Sequence, residues 1–159
     1  MSEAKFKTMR HIETVRNYLN AMITELMDRA EQHDQSKLAP PEVEIFEEYT
    51  PKLRDCTYGS DEYRRFLSEM RPAIEHHNVV NRHHPEHFEN GVHGMNLIDL
   101  LEMLCDWKAA TMRHNDGDIR RSLEINADRF GYGPELKGLL SNTIDLIESL
   151  EVEHWASQS

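Results

Sequence analysis

EHHNVVNRHHPEH, residues Glu75 to His87, carries five of the chain's ten histidines and stands where a helical pattern gives way to an irregular one. On its N-terminal side Tyr63, Phe66, Leu67, Met70 and Ile74 recur at three- and four-residue steps after Ser60, the spacing of an amphipathic helix with one buried face. His77 continues that inward phase, whereas His76 leaves it. Pro72 is expected to interrupt or kink the helix. On the C-terminal side Asn78 to Gly94 reads as a loop, with Pro85, Gly91 and Gly94 in it. That is long for a structureless connection inside a domain, which favours a loop ordered by a ligand or carrying function. Imidazole is the commonest protein ligand for borderline transition metals, so a histidine density this high points to at least one bound ion.

Working outward, the same helical spacing appears from Thr8 to His33 in Ile12, Val15, Leu19, Met22, Ile23, Leu26 and Ala30. Pro40-Pro41 closes what precedes it and opens a short helix from Glu42 to Tyr49, followed by a loop from Pro51 to Gly59. Beyond the histidine stretch, Asn96 caps a helix whose core face is Leu97, Leu100, Leu101, Leu104 and Thr111, with Asp106 on a different arc beside Asp99, Met103 and Ala110. A turn over Asn115-Asp116-Gly117-Asp118 leads to a helix from Ile119 to about Phe130. After the break at Gly131-Tyr132-Gly133, Pro134 starts a last helix bearing Leu136, Leu139, Leu140, Ile144, Ile147 and Leu150. No strand-like alternation appears. The expectation is an all-α chain: one domain over residues 1–159, a bundle of five to seven helices with a motif core at about 8–130 and a C-terminal helix at 134–152.

The totals agree with that size and narrow the function. A chain of 159 residues can bury a genuine core without covalent staples. Cys56 and Cys105 provide neither a disulfide framework nor a CxxC pair, so a metal site here is built from histidine and carboxylate. A formal net charge of -11 opposes a broad nucleic-acid surface, and no apolar run approaches the ~20 residues that span a bilayer. Lys5, Lys7 and Arg10 precede an amphipathic segment rather than an apolar one, so no leader peptide is expected and the cytoplasm is the expected compartment.

The chemistry concentrates in a few places. His33 and Asp34 continue the apolar arc of the first helix, where a carboxylate without a partner is expensive. His11 is separated from them by ~33 Å along a straight helix, so the two can meet only if the segment folds back near Asn20. The loop after His77 is long enough to return His83 or His84 to the same point. Met95, Met103 and Trp107 read as core, His87 and His93 as surface groups or orienting partners, and His114 and His154 as solvated helix ends. Asp99 and Glu102 read first as exposed helix carboxylates.

HDQSK at residues 33–37, an earlier histidine, a later histidine cluster and a still later helical aspartate together resemble the HD-domain superfamily of metal-dependent phosphohydrolases. More narrowly, HDxSKL, HHxxxNxHHPEHF and MNLIDLLEMLCDWKAA are similar to a small, mainly phage and bacterial branch of it. The resemblance implies that His33 and Asp34 are the metal-binding doublet, Asp106 the distal carboxylate and His11 the first histidine; helical phase and loop length add His77, His83 and His84 as candidate metal ligands. The tandem His83-His84 also resembles the two-metal members, HD-GYP phosphodiesterases and di-iron oxygenases typified by myo-inositol oxygenase.

One or two divalent ions are therefore expected, from Mn, Fe, Co, Ni, Zn or Mg. Such an ion acidifies a bound water, and Asp34 and Lys37 would be the catalytic side chains. Lys37, with Lys108, Arg113 and Arg129, offers charge to a substrate phosphate, although each of them taken singly reads as a surface residue. The expected substrate is a small phosphate ester of the nucleotide class, with no nucleic-acid polymer or membrane as partner and self-association left open. A di-iron oxygenase and a binding module with a structural metal are the alternatives.

Overall fold

The computed structural model describes residues 2–56, 60–112 and 117–156, the side chains of 54–55 and 151–156 excepted. The chain is all-α, with six helices and no strand among the described residues. It divides into two compact units, residues 1–35 and 36–159, which are taken in turn.

The first unit is one helix, α1, Glu3–Gln32. Ser2 caps it by accepting from Lys5 N–H, which satisfies one of the donors a helix start leaves over. Thr8, Thr14 and Thr24 return their hydroxyls to the carbonyls four residues back, so they do not compete with the helix. Consequently α1 runs unbroken through Asn20, and the fold-back that would bring His11 to His33 is not formed. The stripe of Ile12, Val15, Leu19, Met22 and Ile23 is present as expected, yet no residue of α1 is buried.

The second unit holds α2 (Val43–Asp55), α3 (Asp61–Val80), α4 (Leu97–Thr111), α5 (Ile119–Phe130) and α6 (Pro134–Ala156). Pro51, expected to begin a loop, lies inside α2, and α3 is not interrupted at Pro72 but runs through it as far as Val80. The loss of one backbone donor at each is outweighed by packing between the two helices, where Tyr49 lies 5.9 Å from Phe66, centroid to centroid. The histidine loop is correspondingly shorter and is tightened by 3₁₀ turns at Pro85–His87 and Gly91–Gly94.

The main core is built by α4, α5 and α6: Leu100, Met103 and Leu104 pack with Ile119, Leu123, Leu140 and Ile144, and Val92 and Tyr132 close it. Tyr132 donates its buried hydroxyl to the Leu123 carbonyl at 2.8 Å, and burial pushes its pKa up to about 12. Gly131 ends α5 at φ 69, a left-handed C-cap that glycine takes without strain. Trp107 stacks on Phe130 with centroids 6.0 Å apart and planes 9° from parallel.

The buried arc of α4 is rotated from the expected one. Leu97 is 72% exposed, while Asp99 and Met103 are fully buried. The rotation is possible because Asp99 is neutralised: Arg82 donates from Nε to Oδ1 at 3.0 Å and from Nη2 to Oδ2 at 2.9 Å. Oδ2 also accepts from Asn96 N–H at 3.0 Å, while Asn96 accepts from Ile98 and Asp99, which makes a capping box. A carboxylate paired and hydrogen-bonded in this way can be buried. It fixes both the start of α4 and the residue that immediately precedes His83.

Candidate metal centre

All the residues of this site lie in the second unit. His77 sits on the last turn of α3 and is buried with Phe66, Met70 and Ala73, as its helical phase requires. After Asn81 caps α3, the chain turns back within two residues, so that His83 is buried and His84 half-buried against His77. The His77 ring centroid is 5.7 Å from that of His83 and 4.8 Å from that of His84, and His83 and His84 are 4.2 Å apart. Each can offer one ring nitrogen so that the three lie within 4.8 Å of one another, close enough for one ion to reach all of them.

Carboxylates stand behind two of the three rings. Glu42, the residue before α2, is fully buried, and its Oε2 is 2.9 Å from His77 Nδ1 while its Oε1 is 2.7 Å from His76 Nδ1. Glu102 on α4 places Oε1 3.1 Å from His83 Nδ1. Neither had been singled out from the sequence as a site residue: Glu42 only began a helix, and Glu102 read as exposed.

His84 is held differently. Its Nε2 is buried without a hydrogen-bond partner, the state of a lone pair kept dry. Burial first, then the neighbouring His83 and His77 rings and Lys37, lower its pKa to about 3 against the opposing pull of Asp106. His84 is therefore neutral at ordinary pH and able to donate its lone pair. Three imidazoles with carboxylates nearby fit a borderline divalent ion, and they leave further coordination positions to other donors.

A family model, described as "Family of unknown function (DUF5662)", matches residues 1–150, which include every residue of this cluster. The chain belongs to DUF5662. No curated protein and no solved structure matches it.

The remaining site candidates of this DUF5662 chain are distributed as follows. Asp106 is half-buried on α4, within electrostatic reach of His84. Lys37 lies in the turn before α2 with Nζ 5.6 Å from the centre of the Phe46 ring, and its charge is felt at His84. Lys108 pairs with Glu148 at 3.1 Å, and Arg120 holds the same carboxylate. Arg129 pairs with Glu86 at 2.9 Å and stacks over Phe130. Arg113 and His114 lie outside the described residues. His87 sits with Nδ1 2.6 Å from the Val79 carbonyl, and His93 is exposed.

In the first unit, His33 and Asp34 end α1 with His33 Nε2 3.7 Å from Asp34 Oδ2. Asp34 takes φ 59, a left-handed conformation that aspartate tolerates better than most residues. His11 lies about 33 Å along the continuous axis from His33, too far to share an ion with it.

Proposed function

We propose that this chain is a metal-dependent phosphohydrolase acting on a small phosphate ester of the nucleotide class, with His77, His83 and His84 as ligands of its divalent ion. The observation that carries the metal is the convergence of the three rings, together with the buried Nε2 of His84 that no protein group satisfies. Asp106 is the carboxylate that this reading adds from α4, by its influence on His84. The doublet His33-Asp34 enters from the sequence resemblance alone.

Hydrolysis is supported by the donor set and by Lys37. An ion held by nitrogen and oxygen donors with open positions supplies an acidified water and an electrophile for phosphoryl oxygens. The chain's own residues do the rest. Imidazole ligands carry no negative charge to offset that of the ion, and Lys37 adds a cation, felt at His84, that attracts a phosphate before reaction. Lys37 is the cation assigned to the substrate because its charge is felt at His84.

The test is elemental analysis of the purified protein, followed by phosphate release from a panel of nucleotides with Mn or Co added. Metal at one or two equivalents with stimulated release supports the reading. A loaded protein that releases no phosphate overturns the hydrolase. Two irons with an oxo-bridge absorption would point to the oxygenase, and a loaded ion with no exchangeable water to a structural metal.

A further inference from the structure

We infer that Glu42 is a positioning residue that fixes the tautomer of His77, so that one buried carboxylate decides whether this histidine can ligate at all; the inference rests on the metal reading above.

Around His77 Nδ1 lie Glu42 Oε2 at 2.9 Å, Ser36 Oγ at 3.0 Å and Asn81 Nδ2 at 3.0 Å, and their hydrogens can be followed. Asn81 Nδ2 has two hydrogens and two acceptors, Ser36 Oγ and the His77 carbonyl, each at 2.8 Å. Ser36 has one and lies 3.0 Å from both Glu42 Oε2 and His77 Nδ1; that hydrogen goes to the carboxylate oxygen, which can only receive it, whereas Nδ1 can itself donate. With those donors committed, neither Asn81 nor Ser36 has a hydrogen left for Nδ1, and a carboxylate is an acceptor wherever it is not itself protonated. Nδ1 must therefore carry the proton, and Nε2 keeps the lone pair on the opposite edge of the ring. His76 is served by the other oxygen of the same carboxylate, at 2.7 Å. Only a carboxylate can accept from both rings together, because an amide has one acceptor and one donor end.

This accounts for a fully buried glutamate outside the hydrophobic core. Orienting carboxylates of this kind typically change metal affinity by 10- to 100-fold. Glu42→Gln keeps the shape and turns a donor toward either His76 or His77. Removing His76 as well, in Glu42→Gln/His76→Ala, frees the amide oxygen to face His77.

The experiment is a Co²⁺ titration of the full chain, read by the visible ligand-field absorption, alongside the melting temperature of the metal-free protein. Glu42→Gln is expected to weaken Co²⁺ by roughly 10- to 100-fold, and Glu42→Gln/His76→Ala to recover part of that loss. A merely structural glutamate would lower the melting temperature and leave affinity and absorption unmoved. Glu42→Gln that melts like the wild type and binds Co²⁺ as tightly overturns the inference while leaving the metal site standing. Wild-type protein that binds no Co²⁺ overturns the metal reading and the inference with it. Should Glu42→Gln fail to fold, Glu42→Asp replaces it: the shorter carboxylate is expected to bind Co²⁺ more weakly than wild type, and unchanged binding there overturns the inference.

Discussion

Helices α1 and α3 begin alike and end differently. Both are capped by a serine, Ser2 and Ser60, both carry acidic residues in the first turn, and both set apolar side chains at helical spacing with a histidine near the end. Yet α3 buries Phe66, Met70, Ala73 and His77, and α1 buries nothing. The difference is in what lies beside each face. In α3 the face meets α2, the Pro85–His87 turn and the buried Glu42, so its histidine becomes dry, oriented and available to a metal. Periodicity marks a face on a helix; only a neighbouring element converts the face into stability and the histidine into a candidate ligand.

The largest expected effect is at His77. His77→Ala should lower metal affinity by more than ~100-fold, since it removes a ligand rather than the group orienting one, while His11→Ala on α1 should leave metal content unchanged. Elemental analysis after dialysis against a defined metal buffer reads both. Equal losses would end the distinction between the two helices. Next comes packing: Met70→Ala should cost about 2–5 kcal/mol in urea denaturation, as expected for truncating a buried methionine.

The pH dependence follows from His84. Its pKa is lowered from 6.5 to about 3 in the folded chain, so between those values the unfolded state binds the proton and the folded state does not. Stability of the metal-free protein therefore rises with pH across this window and is lost as pH falls from about 6.5 toward 3, by at most ~1.4 kcal/mol per pH unit. His84→Ala should flatten this limb of the melting-temperature profile. An unchanged limb would show that the proton is taken up elsewhere.

Much of this was legible beforehand. The all-helical class follows from spacing alone and the inward direction of His77 from its phase; loop length allows His83 or His84 to return to it, and the structure brings both. Glu42 was not legible, because its partners lie 34 and 35 residues away and a carboxylate before a helix looks the same whether it faces water or a histidine. Asp99 was misjudged for a related reason. Its burial depends on Arg82, seventeen residues earlier, and a charged residue reads as exposed until its partner is known. A loop from Pro51 and an interruption at Pro72 are what local cost alone predicts, and the packing that offsets that cost is not local.

His76 sharpens the comparison within α3 itself. It is one residue from His77 and shares Glu42, but its side chain is 40% exposed and points off the buried face. His76→Ala should weaken metal binding by ~10-fold at most, through relaxation of Glu42 rather than loss of a ligand. A loss as large as that of His77→Ala would show that the phase argument has chosen the wrong ring.

The smallest effect is expected on α1. Leu19 is at the middle of the apolar stripe and 59% exposed, so truncating it removes little apolar surface that folding takes out of water. Leucine and alanine both favour the helix, so backbone propensity does not add a large opposing term. Leu19→Ala should therefore change the free energy of unfolding by no more than ~0.5 kcal/mol, the range of exposed substitutions, against several times that for Met70→Ala. The measurement is the urea midpoint of the two variants at one protein concentration, with m-values compared to confirm that the same surface is exposed on unfolding. A loss of 2 kcal/mol or more at Leu19, on the scale of a core truncation, would mean that the stripe is covered in solution, and α1 would then have to be ranked with α3 rather than set against it.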